Sequence, residues 1–214
     1  MALVLIGISI FAGVILASVY NLTKDSISNT LQVKKNDAIR SVLPPFDHIS
    51  LKPIELKNGV ETTNVYKAYD KDNVMVGAAV ESTSNNGFRG TVDIMVGFNT
   101  KGIVINYVVI QQNETPGLGT QMENWFKTNI AHQDIRGKNP GNSNLNVSKD
   151  GGEIDAITGA TISSRAFLFA VRNAYFAFTS NLEVQEKGNR AKVDSALNVQ
   201  TDTLPGGNLK SSQP

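Results

Sequence analysis

The sequence predicts an α+β domain hung from one membrane-spanning helix. Three observations predict it: an uninterrupted apolar run at the N-terminus, a middle section of turn-punctuated β-like segments, and a long apolar helical stretch after them.

The N-terminal run, Ala2 to Tyr20, reads ALVLIGISIFAGVILASVY and carries no charge. At about 1.5 Å per residue it spans about 28 Å, close to the ~30 Å hydrocarbon core of a bilayer. Tyr20, followed by Asn21 and Lys24, supplies an interfacial anchor. The run exceeds the roughly 7–15 apolar residues of a cleaved signal peptide and no basic segment precedes it, so a retained span is expected. Gly7, Ser9, Ala12 and Gly13 suit close helix–helix approach in a membrane, although a simple anchor carries such residues too. Lys24, Lys34, Lys35 and Arg40 all follow the run. Taken alone, the positive-inside rule would put the large domain in the cytoplasm.

From Asn21 to Val42 the apolar residues Ile27, Leu31, Ala38, Ile39 and Val42 recur at helical spacing, and Pro44-Pro45 ends the helix. Strands are expected at Val65–Asp70 and Val74–Glu81, joined by Lys-Asp-Asn, and at Thr91–Phe98 and Ile103–Gln111, joined by Asn-Thr-Lys-Gly. Gln121–Ile130 reads as a short helix with Trp125 and Phe126. Residues 136–150 read as a polar loop, Ile154–Ile157 as a short strand, and Ile162–Thr179 as an apolar helix whose only charges are Arg165 and Arg172. Trp125 fits a core or interface position better than a stacking role. The division is a transmembrane helix at 1–21, a helical connector at 22–43, a domain with an antiparallel sheet packed by helices at 44–180, and a polar, disordered tail at 181–214.

Composition narrows the chemistry. Twenty Lys and Arg against 19 Asp and Glu give a net charge of +1, no basis for nucleic-acid binding. The chain has no Cys and only His48 and His132. Disulfides, thiolate-bound zinc, Cys-held iron–sulfur clusters and a Cys nucleophile are excluded, and no metal role falls to the histidines. Electron transfer would need a bound organic cofactor. No phosphate-cradling glycine loop of the nucleotide-binding type is present.

The informative stretch is Asp155-Ala-Ile-Thr158-Gly159-Ala160-Thr161-Ile-Ser163-Ser164. It reads as a strand, a tight turn and a helix start. Thr161, Ser163 and Ser164 suit capping or first-turn positions. A helix N-terminus offers free N–H groups and partial positive charge to a phosphate, Gly159 and Ala160 leave room beside it, and Arg165 lies one turn on. The plain alternative is a capped helix after a turn.

Asp-x-x-Thr-Gly-Ala-Thr resembles the D-x-x-[ST]-G-A-T signature of the FMN-binding domain found in the G subunit of Rnf electron-transport complexes and in the C subunit of the sodium-translocating NADH:quinone reductase. Glu114-Thr115-Pro116-Gly117-Leu118-Gly119 resembles the E-T-P-G-L-G segment of that family. Gly87-Phe88-Arg89-Gly90 with Val96-Gly97-Phe98 resembles its G-[FY]-x-G…VG[IV] region, except that Phe98 stands where an aliphatic residue is usual. The resemblance covers residues 1 to 180.

It implies FMN carried covalently through a phosphoester on Thr161, installed from FAD by a flavin transferase. Ser163 and the helix N–H groups would hold the phosphate. Glu114, Thr115, Leu118 and Gly119 would meet the isoalloxazine or ribityl chain. Thr158, Gly159, Ala160, Ser164 and Arg165 complete the cofactor-binding set, and Asp155 would orient the turn or serve metal binding during attachment. The chain would relay electrons in a ferredoxin:NAD oxidoreductase complex coupled to Na+ or H+ transport, beside membrane subunits and iron–sulfur and flavin subunits. Its domain would lie outside the cytoplasm, at the inner membrane, against the charge count. Three alternatives remain: the equivalent quinone-reductase subunit, a non-redox membrane-anchored interaction domain with Thr161 an unmodified cap, and a stand-alone flavin reductase. The last needs an acid/base pair beside the flavin, which the sequence does not display.

Overall fold

The computed structural model describes residues 2–50, 54–57 and 62–180. The expected tail at 181–214 lies outside the described residues.

Helix α1 runs without a break through Ala2–Val42, 41 residues. Its most apolar window has a mean hydropathy of 2.7 and is 0% buried, long and apolar enough to cross a membrane. The connector is therefore the same helix continued. Its last turns leave that surrounding: Ala38, Ile39, Val42 and Leu43 are buried against the sheet. Lys35 pairs with Glu81 at 2.5 Å, and Asn106 Nδ2 donates to the Ser41 carbonyl at 3.0 Å.

Among the described residues the sheet has six antiparallel strands: β1 (His48–Ile49), β2 (Ile54–Lys57), β3 (Thr62–Tyr69), β4 (Met75–Gly87), β5 (Gly90–Phe98) and β6 (Val104–Gln112). Their order is β1-β3-β4-β5-β6, with β2 also pairing β3. Both expected turns form. Asp70 Oδ1 accepts the N–H groups of Asp72 and Val74, and Asn99 Oδ1 accepts those of Lys101 and Ile103. Side chains along a strand alternate between its two faces, so the strands feed two cores. Val65, Ala78, Val80, Val92, Ile94, Val96 and Phe98 face one core; Ala68, Ala79, Met95 and Ile110 face the end of α1.

The first core is closed by a helix over residues 161–180, α3. Phe167 stacks on Phe126 at 4.5 Å and meets the edge of Tyr107 at 4.7 Å, while Phe178 stacks on Phe98 at 5.3 Å. The α+β architecture with, among the described residues, one candidate span is thus as the sequence predicts.

Beyond the added strands β1 and β2 and the extension of β4 from the expected Glu81 to Gly87, three elements differ. The expected helix at Gln121–Ile130 is a 3-10 turn (Gly119–Gln121) and one α-turn, α2 (Met122–Trp125). It stops there because Lys127 and Thr128 bond three residues back, and Ile135 N–H takes the Phe126 carbonyl. The expected strand Ile154–Ile157 is a single bridge from Ile154 to Val147. Its backbone is satisfied by the preceding loop, with Ser148 N–H on the Ile154 carbonyl (2.8 Å) and Ile154 N–H on that of Asn146 (3.1 Å), while Ile154 and Ile157 plug the core. The loop at 136–150 is not polar throughout, since Leu145 and Val147 are buried beside them.

Candidate functional site

The site forms where two loops meet the N-terminus of α3. The chain turns at residues 157–160, with Ala160 N–H on the Ile157 carbonyl (2.9 Å) and Gly159 third at φ +76°, a position type II turns give to glycine. Ser164 locks this turn to the helix. Its hydroxyl accepts the Ile157 N–H (2.9 Å) and donates to the Ala160 carbonyl (3.0 Å), both buried. Ser164 N–H makes the first helical bond, also to Ala160. The N–H groups of residues 161–163 therefore precede the helix's own ladder and form its donor-rich, positive end.

A cavity of about 370 Å³ opens at this end. It is lined by Phe88, Thr115, Leu118, Gly119, Lys149, Gly159, Ala160, Thr161, Ile162 and Ser163. It thus brings Thr115, Leu118 and Gly119 together with residues 159–163. Thr161, the first residue of α3, is half-buried in it. Exposed Phe88, Leu118 and Ile162 rim it with apolar surface, and Lys149 brings a cation.

The other expected residues sit around the cavity without lining it. Glu114 lies behind the wall, buried, where Oε2 accepts the Ser163 hydroxyl (2.6 Å) and Oε1 the Arg89 N–H (3.1 Å). Gly119 allows this packing: a Cβ there would fall 2.6 Å from both Glu114 Cβ and Ser163 Oγ. Thr158 occupies the exposed corner of the turn. Asp155 faces His132, whose backbone N–H its carboxylate accepts at 3.3 Å, and its carbonyl takes the Trp125 indole N–H at 2.9 Å. Trp125 accordingly packs on the core, outside the cavity. Arg165 is bidentate with Asp150 (2.7 Å for each bond), which holds the Asp150 carboxyl below the usual range. Arg165 lines a neighbouring cavity of about 340 Å³ together with Arg172.

Sequence reasoning did not assign Phe88, Lys149 or Ile162 to the site. Phe88 carried a signal, an aromatic residue between glycines at a hairpin tip. Lys149 carried none, because only the folding of the 136–150 loop brings it to α3.

Residues 87–175 match the FMN-binding domain family. A Haemophilus influenzae protein, named as the G subunit of an ion-translocating oxidoreductase complex, is 30% identical over 187 residues, covering 83% of this chain and 89% of that protein. The Vibrio vulnificus protein of the same name is 32% identical over 163 residues, 71% of this chain and 75% of its own. The Shewanella baltica protein of that name is 38% identical over 109 residues, half of each chain. This chain belongs to that G-subunit family. The part of this chain that matches the FMN-binding domain contains every residue lining the cavity, with its aromatic rim and the N-terminus of α3.

Proposed function

We propose that this chain is the FMN-carrying electron-relay subunit of a membrane-bound, ion-translocating oxidoreductase complex, with FMN held through a phosphoester on Thr161. It acts as a carrier within a redox-driven translocase and has no turnover of its own. The observation that supports this best is the position of Thr161. A hydroxyl at the first turn of α3 borders a cavity lined also by Lys149 and by the exposed apolar side chains of Phe88, Leu118 and Ile162.

The cavity fits the group. Its volume lies in the ordinary range for small-molecule sites, about 300–1,000 Å³. Gly119 and Gly159 line the cavity without side chains, and the phosphate would meet the N–H groups of residues 161–163 and Lys149. Ser163 would contribute its N–H, since its hydroxyl is committed to Glu114. Phe88, Leu118 and Ile162 would shield the flavin edge from water. Bound FMN supplies one- and two-electron transfer. A covalent tether keeps it from loss by dilution, which matters on the extracytoplasmic side assigned here to the domain. Residues 1–21 anchor the chain in the inner membrane, 22–43 carry the domain clear of it, and 44–180 hold the flavin. The partners are the membrane, flavin and iron–sulfur subunits of an Rnf-type ferredoxin:NAD oxidoreductase moving Na+ or H+, and a flavin transferase for maturation. The relatives' name favours this complex over the quinone reductase.

Intact mass tests the reading. Protein co-expressed with a flavin transferase is expected to gain the mass of FMN less one water and to fluoresce in a denaturing gel; Thr161→Ala loses both. Wild-type protein of unmodified mass would overturn it in favour of an interaction domain.

A further inference from the structure

Glu114 is the buried acid of the site, 4% exposed. Its carboxylate is confined by close backbone approach: a Cβ on Gly119 would lie 2.8 Å from Oε2, and one on Gly87 2.5 Å from Oε1. It accepts bonds from neutral donors, the Ser163 hydroxyl at 2.6 Å and the Arg89 N–H at 3.1 Å. Its own N–H is taken by Gln112 Oε1 at 2.6 Å. Among the described residues, the ion pairs of the domain involve other acids: Glu81, Asp134, Asp150 and Glu153 with Lys or Arg, and Asp47 and Asp155 with His. Lys149 lines the cavity that Ser163 separates from Glu114.

A purely structural tie between these three loops would be served equally by a glutamine, which also offers an acceptor to Arg89 and a partner to Ser163. A carboxylate differs from it chiefly by charge. That charge lies one hydroxyl behind the cavity wall, in surroundings where charge interactions fall off slowly because little water screens them. It also takes up part of the positive potential at the N-terminus of α3.

We propose that Glu114 is a positioning residue that sets the flavin's reduction potential, its buried negative charge behind Ser163 holding that potential down. The proposal rests on Thr161 being the FMN carrier. Reduction of FMN to its anionic hydroquinone takes two electrons from the donor and one proton from solvent, and no bond to the protein forms or breaks. Each added negative charge works against the Glu114 carboxylate, so the oxidised flavin is favoured.

The experiment is a dye-mediated dithionite titration of the full, detergent-solubilised chain, wild type against Glu114→Gln and Ser163→Ala, with flavin loading verified by intact mass. Poised at the wild-type midpoint, Glu114→Gln is expected to show at least about a threefold higher ratio of reduced to oxidised flavin. Ser163→Ala removes the hydroxyl bond to Glu114 but keeps the carboxylate charge, so its ratio stays at or below that of wild type. An unchanged or lower ratio in Glu114→Gln would overturn the proposal. So would a rise in both variants, which would mark a hydrogen-bond effect, or a Glu114→Gln protein without flavin, which would mark a role in attachment. Wild-type protein without the added mass would instead remove the Thr161 reading and this proposal with it.

Discussion

Helix α1 through residue 20 and helix α3 are both strongly apolar, yet their side chains meet opposite surroundings. Phe11 on α1 is 69% exposed, whereas Phe167 on α3 is 0% exposed between Tyr107 and Phe126. The α1 run has no charged face at all, so no side of it is suited to water. On α3 the two arginines mark an outer face, and Ala166, Phe167, Ala170, Val171 and Ala174 form the inner one. Apolar content makes a helix that must be covered; the placement of its few charges decides whether lipid or protein covers it. α1 shows both solutions in sequence, since Ala38, Ile39 and Val42 are covered by the sheet.

The sharpest way to break this contrast is to truncate one phenylalanine on each helix. Phe167→Ala is expected to destabilise the domain by about 3–5 kcal/mol, the usual cost of emptying a packed aromatic site. Phe11→Ala should leave the domain's melting temperature unchanged, as read by near-UV circular dichroism in detergent micelles. A comparable drop from Phe11→Ala would mean that the span packs on the domain.

A smaller effect separates two serines, one on each helix. Ser164→Ala leaves the buried Ile157 N–H without its partner, a loss of about 1–3 kcal/mol. Ser18, whose hydroxyl bonds the Val14 carbonyl at 2.8 Å on the exposed span, is expected to tolerate Ala with no change in domain melting. The same melts decide it: equal shifts for the two serines would show that the 157–164 turn is not locked by Ser164.

What the sequence made legible follows the range of the forces involved. The span, the β3–β4 and β5–β6 turns and α3 were readable because each is set by local pattern: an unbroken apolar run, Asp70 and Asn99 side chains bonding their own loops, a helical period. β1 and β2 were not. They are short, and their pairing with β3 comes from tertiary position. The α2 region looked helical through Ile130 because its periodicity says nothing of Ile135, distant in the loop, capturing the Phe126 carbonyl. In the site, Thr161, Gly159 and Leu118 were readable from motifs. That Glu114 stands behind Ser163, and that Arg165 is held by Asp150, depends on loops folding together over long sequence separations.

The smallest expected effect concerns the outer face of α3. Arg165 and Asp150 are both well exposed, and ion pairs of that kind add little to stability. Arg165→Ala should therefore lower the melting temperature less than Ser164→Ala does. Its guanidinium is engaged on both oxygens of Asp150 and lines the neighbouring cavity, so under the proposed attachment to Thr161 the variant is also expected to keep the full FMN mass. Intact mass and melting together read the two faces separately. Loss of the flavin mass with an unchanged melt would place Arg165 in the anion site despite its Asp150 partner. The outer face of α3 would then be part of the cofactor machinery, and the division of this helix into a covered inner face and an idle outer one would fail.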